Sequence, residues 1–388
     1  MMAWIIQGGR TLRGAEMLAD DVFLADGIIA EKPTSNARRF DAAGLLVMPG
    51  LVDIHGDAHE RQFQPRPGIG FPAGLALRDS AAQLISCGIT TAYLGVTLSW
   101  EPGLRSLDAW RGMKAALRDM KHAAATDLRV HLRFEADNFD ALEDALADIA
   151  AGDVHLLGFN DHTPSIVKKL GNLDEVAKYA GRAGVKAEAY MAMAQAAYAR
   201  RDAVPSARAR LAEVSLSAGI PMLSHDDDSI ERRALFRTHG ARICEFPITE
   251  EVAADARAAG EAVVMGAPNV VRGGSHLGWA SAAPLAERGL VTVLASDYFW
   301  PAMLEAASLW RAEASWICRA LGPWFRKTLR GLVACMTVAG FNLAYAEMWL
   351  WLMKGDAPRL RSLRKGSLLG WRRRQFTDWI NRGCCLQP

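Results

Sequence analysis

The chain has 388 residues, 51% of them hydrophobic, with 45 Lys and Arg against 43 Asp and Glu. That length and balance describe a globular protein able to bury a large barrel domain with a smaller companion, and give no general affinity for nucleic acid. Six cysteines without regular spacing suggest neither a disulfide framework nor a zinc knuckle. The opening "MMAWIIQGGRTLRGAEMLADD" turns polar after six residues, so no leader is read and a cytoplasmic location is expected.

Residues 1–48 contain "WIIQGG", "DVFLADGIIAE" and "RRFDAAG". These are predicted to be short antiparallel strands with Gly turns, forming a small β-sandwich segment. Residues 49–307 are predicted to be a separate α/β domain. Eight apolar, β-branched runs lead through it: "LLVMPGLVDIH", "ITTAYLGV", "LRVHLRFE", "VHLLGFNDH", "IPMLSHDD", "ARICEFP", "AVVMGAPNVV" and "LVTVLASD". Ala-rich amphipathic stretches such as "LEDALADIAAG" separate them, several closed by Gly. Continuous apolar runs fit parallel strands buried on both faces. Eight such units in about 250 residues is the size of a (β/α)8 TIM-type barrel.

Titratable residues gather where these runs end. His55 and Asp57 follow the first run, Glu135 closes the third, His162 the fourth, His225 the fifth and Asp297 the eighth. The C-terminal ends of barrel strands converge on one face, where catalytic groups of this fold sit. A mixture of imidazole and carboxylate donors suits zinc, with manganese or iron(II) as other candidates, rather than calcium. A Glu is able to bridge two ions, and two divalent ions lower the pKa of a shared water. Asp297, at the last strand, is placed to take up that water's proton. His59, four residues beyond His55, is read as a further site residue, and so is His276. The lone histidines His122, His155 and His239 are read as surface or satisfied core residues, and His131 as buried against a helix.

A phosphate-binding rim is a weaker expectation. Arg66 stands between prolines in "QPRPGIGFP" and presents a fixed guanidinium. Arg133 and Arg272 lie near the same rim, and Gly273-Gly274 offers backbone N–H groups that suit phosphate oxygens.

The motifs together resemble the amidohydrolase superfamily, beginning with "MPGLVDIH" from Met48 to His55. The H-x-D of this chain replaces the common H-x-H. It resembles the phosphonate-metabolism branch, the α-D-ribose 1-methylphosphonate 5-triphosphate diphosphatases of the carbon–phosphorus lyase pathway. "PRPG", "LRFE", "DHTP", "SHDD", "APN" with "GGSH", and "SDY" are similar to that branch as well. The resemblance implies a binuclear metal site held by His55, Asp57, Glu135, His162, His225 and Asp297, with Glu135 where other members use a carboxylated lysine. It implies hydrolysis of a ribose 5-triphosphate with release of diphosphate, Arg66 and His276 holding the phosphates. The expected partner is a small phosphorylated sugar, with a homo-oligomer as the usual assembly and neither nucleic acid nor membrane. Leu277-Gly278-Trp279 departs from the small polar continuation of the branch, so a related amidohydrolase cleaving a C–N bond is the alternative.

Residues 308–388 read differently. Residues 310–388 hold seven of the twelve tryptophans, four of the six cysteines, and fourteen of the Lys and Arg against four of the Asp and Glu. No segment there is read as completing the β-sandwich. Such composition resembles a shifted reading frame of a GC-rich gene, which would leave an inactive product; a basic extension is the other reading. Gly331 to Met353 is apolar apart from Thr337, Asn342 and Glu347, a length that suffices to span a membrane.

Overall fold

The computed structural model describes residues 3–13, 16–25, 27–120, 126–275, 277–307, 309, 348–354 and 357–361. They divide into two compact units, one of small sheets and one built on a barrel.

The small sheets come from β1 (Trp4–Gln7), β2 (Arg10–Arg13), β3 (Glu16–Ala19), β4 (Val22–Ala25), β5 (Ile28–Ala30), β6 (Arg38–Asp41) and β7 (Leu46–Pro49). One sheet has the order β5-β4-β1-β6. β4 pairs antiparallel with β1, but β6 pairs with β1 in parallel, Trp4 opposite Arg38 and Gln7 opposite Asp41. The expectation of antiparallel strands throughout is corrected here. Residues 31–37 carry the chain back across the sheet, so β6 starts at the same end as β1. Ile6, Val22, Ala42 and Val47 form the buried cluster of these strands.

The barrel strands are β8 (Leu51–Gly56), β9 (Ile89–Leu98), β10 (Asp127–Glu135), β11 (Leu156–Asn160), β12 (Met222–His225), β13 (Ile243–Glu245), β14 (Ala262–Gly266) and β15 (Val293–Ala295). Each of the eight predicted runs overlaps one of them, with β8, β9 and β10 extending one or two residues beyond their runs. They neighbour one another in chain order, all in parallel. A parallel bridge between Gly56 and Asp297 brings the last segment back to the first strand. The fold is a (β/α)8 barrel with small N-terminal sheets. Outward-facing residues such as Val130, Leu132 and Phe134 join the helices in the main core, while Tyr93, Leu156, Leu223 and Val264 fill an inner cluster.

The helices start and stop as their sequences dictate. The helix Ala73–Ser86 follows Pro72, and Leu142–Ala151 ends at Gly152, whose φ of 79° is left-handed. The connection from β11 to β12 departs furthest from simple alternation. It carries four helices, Thr163–Lys168, Leu173–Ala183, Ala187–Tyr198 and Val204–Ser217. Glu101, after β9, accepts hydrogen bonds from Arg182 and Tyr190 and ties this insertion to the strand ends.

Two strands fall in the atypical tail, β16 (Met348–Lys354) and β17 (Ala357–Arg361), paired antiparallel. They extend the second small sheet, whose order is β17-β16-β7-β2-β3. A sheet segment in the tail was not expected from its composition. The apolar run 331–353 therefore ends as a strand, and its first part lies outside the described residues. No helix among the described residues is long and apolar enough to cross a membrane.

Candidate metal centre

Strand alternation decides which side chains of β10 reach the barrel interior. Val130, Leu132 and Phe134 pack outward, so His131, Arg133 and Glu135 share the inner face. His131 is thus not packed against a helix, as expected from its mid-strand position. Its ring lies inside the barrel, edge-on to His55 at 5.2 Å, with Nδ1 3.2 Å from the Ile54 carbonyl. Gly158 on the neighbouring strand makes the room, since a Cβ there would stand 2.6 Å from His131 Nε2.

The mouth brings together five of the six expected ligands in overlapping groups. Donor atoms of His55, Asp57 and Asp297 lie within 4.8 Å of one another, as do those of His162, His225 and Asp226, and those of His55, His225 and Glu245. Of the six expected ligands, Glu135 is the one held apart from these groups. Its carboxylate accepts from His162 N at 2.7 Å, His162 Nδ1 at 2.9 Å, Thr163 N at 3.2 Å and Thr163 Oγ1 at 3.3 Å. Burial would raise its pKa, but His162 and these donors override that and hold it at about 2. Glu135 caps the start of the helix Thr163–Lys168 and orients His162. Asp226 does the same for His225, with Oδ2 3.0 Å from Nδ1. In both pairs a carboxylate holds Nδ1–H, the arrangement that leaves Nε2 for a metal.

Arg133 was read as a rim residue, but only 7% of its side chain is exposed. Its Nη1 donates to Asp57 at 3.2 Å and its Nη2 stands 3.1 Å from His225 Nε2. The guanidinium spans the two outer donor groups. Asp53, also buried, accepts from Ser296 N at 3.0 Å, Ser296 Oγ at 2.5 Å and His55 N at 3.3 Å, and burial raises it to about 6. Burial, reinforced by Asp57, raises Asp297 to about 7.

Three non-glycine residues here adopt left-handed backbone: Asp226, Phe246 and Asp297, with φ of 56°, 53° and 54°. Each follows a barrel strand, and such conformations cost about 1–3 kcal/mol and cluster at functional sites. The Phe246 ring lies 5.1 Å from His55 and 5.5 Å from His225.

The residues fit a divalent ion. They offer imidazole nitrogen and carboxylate oxygen together, and His55 Nδ1 and both oxygens of Glu245 are buried without a hydrogen-bond partner. Glu245 was missed from the sequence, although "ARICEFP" carried the same signal as the other runs, a carboxylate ending an apolar strand. A further acidic group, Glu135, Asp137 and Asp161, is already served by Arg201, at 2.6 Å from Asp137 and 2.8 Å from Asp161.

The expected substrate residues are more scattered. His59 is 3% exposed, with Nδ1 3.2 Å from the Gly56 carbonyl and its ring against Phe63. It is buried beside the first barrel strand. Gly273 N and Gly274 N donate to the Val270 and Asn269 carbonyls. They close the short helix Ala267–Val271 instead of offering N–H groups to phosphate, because carbonyls at a helix end need donors. Arg272 is exposed and donates to the Tyr298 hydroxyl at 3.2 Å. Arg66 is exposed in a turn closed by Ile69 N to Arg66 O. His276 lies outside the described residues, as does His122.

No family model matches the chain. Over 284 residues, 72% of this chain and 75% of the relative, it is 31% identical to the α-D-ribose 1-methylphosphonate 5-triphosphate diphosphatase of Escherichia coli (strain K12). The chain belongs to this branch of the amidohydrolase superfamily. Solved structures agree on the fold. An amidohydrolase shares it with a TM-score of 0.54 and 14% identity, covering 92% of this chain and 93% of the other. A putative prolidase from Bifidobacterium longum gives 0.52 and 12%, covering 90% and 88%. The 5-methylcytosine deaminase from Klebsiella pneumoniae gives 0.52 and 15%, covering 90% and 91%. Amidohydrolases of this kind are hydrolytic enzymes, and this chain is a hydrolase of phosphonate metabolism.

Proposed function

We propose that the protein is a cytoplasmic metal-dependent diphosphatase, cleaving a phosphonate-bearing ribose 5-triphosphate to the 5-phosphate and diphosphate. The observation that carries this is the cluster of His55, Asp57, His162, His225 and Asp297 at the barrel mouth, in a chain 31% identical to a diphosphatase. Two divalent ions fit the two outer donor groups, zinc by preference, with manganese or iron(II) as substitutes. When bound, such ions polarise phosphate oxygens and lower the pKa of water.

The chain's own residues supply the rest. Water adds to phosphorus as the anhydride P–O bond breaks, and diphosphate departs. Asp297, raised towards neutrality by burial, takes the proton of that water and returns it to the departing oxygen. Glu135 and Asp226 fix the ring orientation of His162 and His225. Arg133 lies between the donor groups and places fixed positive charge where anionic oxygens gather. Arg66 and Arg272, both exposed, supply further positive charge for the phosphates.

The test is phosphorus NMR of the purified protein with added zinc and the ribose 5-triphosphate. Stoichiometric diphosphate and 5-phosphate are expected. A folded, metal-loaded protein that leaves the triphosphate intact but opens a cyclic amide would move the assignment to C–N hydrolysis.

A further inference from the structure

Glu245 ends β13, directly opposite His225 in the parallel ladder. Its side chain is 0% exposed. Several other carboxylates at this mouth have donors: Glu135 accepts four hydrogen bonds, Asp53 three, and Asp57 one from Arg133. Both oxygens of Glu245 have none. Nearby backbone N–H groups are spent elsewhere, since Asp226 N donates to the Glu245 carbonyl and Phe246 N to Val264.

His55 Nδ1 lies 2.9 Å from Oε1, and His225 Nε2 lies 3.8 Å from Oε2. Yet His55 Nδ1 also lacks a hydrogen-bond partner. At 2.9 Å the two atoms lie within ion-pair distance, yet no hydrogen bond joins them. Two buried groups that approach this closely without bonding describe donors set around a shared point. A buried, unpaired carboxylate is costly, and a cation is its natural compensation.

We propose that Glu245 is a direct metal ligand, completing with His55 and His225 a buried two-nitrogen, one-carboxylate site at the floor of the barrel mouth. The assignment rests on the metal-dependent reading above and adds a ligand to it. Phe246, held in its left-handed conformation, walls this site with its ring near both imidazoles. Two imidazoles and one carboxylate suit zinc or a neighbouring transition ion over calcium or magnesium.

The experiment compares wild type, Glu245→Gln and Glu245→His for zinc per chain, zinc affinity and melting temperature, each stripped with chelator and then reloaded. A ligand that lacks partners in the metal-free protein predicts a sign that a structural residue does not. Stripped Glu245→Gln should melt at or above stripped wild type, because an unsatisfied buried charge is gone. Its zinc affinity should fall at least about tenfold, with a smaller rise in melting temperature on reloading. Glu245→His, which restores a nitrogen donor, should recover part of both. A stripped Glu245→Gln that melts several degrees lower, or fails to fold, would overturn the assignment in favour of a structural partner for His55. Unchanged zinc affinity in Glu245→Gln would overturn it as well, while leaving the metal-dependent reading intact. Wild type that takes up no zinc and gains no stability from it would remove both.

Discussion

At the scale of single residues, the mouth is governed by which polar atoms find partners. His131 is accommodated because Gly158 has no side chain. Gly158→Ala would force the ring against His55, so a loss of about 1–3 kcal/mol in urea unfolding is expected; an unchanged midpoint would show that the ring moves freely. Asp297 is expected to carry proton transfer. Asp297→Asn should lower kcat at least about 100-fold while the protein still melts cooperatively, as kinetics beside a thermal melt would reveal. Asp226→Asn tests orientation more gently, since Asn also tolerates the left-handed backbone. It should leave the fold intact and weaken zinc binding by about 10–100-fold, a drop visible by competition with a chromogenic chelator.

At the scale of elements, loops after different strands are tied together by ion pairs around the mouth. Glu60, after β8, receives both Arg105 Nε at 3.0 Å and Nη2 at 3.1 Å from the loop after β9. Burial alone would raise the Glu60 pKa, but Arg105 outweighs it and the net shift is downward from 4.5. A carboxylate whose folded pKa is depressed adds stability above its unfolded value and loses it as pH falls through the folded one. Glu60→Gln should therefore cost about 1–2 kcal/mol at pH 7. The gap between the two proteins should narrow below about pH 4.5, which denaturant melts across pH would follow; a gap independent of pH would contradict the pairing.

At the scale of the whole molecule, the two compact units differ in how their sequence relates to their strands. The barrel takes its eight strands in order from residues 51–295. The second small sheet draws on both ends of the chain, since β16 and β17 join β7, β2 and β3. Composition nevertheless breaks near residue 308, where Trp, Arg and Cys rise abruptly. We propose that a shifted reading frame underlies this break, and resequencing of the gene should reveal an insertion or deletion there. An intact frame would instead make β16 and β17 native parts of the sheet.

The barrel was legible in the sequence because each strand is a continuous apolar run closed by a polar group. Burial on both faces leaves that mark wherever it occurs. The face where candidate donor groups gather was legible for the same reason, through His55, His162, His225 and Asp297 at run ends. Partnership was not legible. Only the packed structure shows that Glu135 is saturated by His162 and Thr163, that Gly273 and Gly274 spend their N–H groups on a helix end, that His59 is buried, and that Glu245 is left without a donor. A sequence lists which atoms are able to donate or accept, whereas their distances and directions exist only after strands far apart in the chain have been brought side by side.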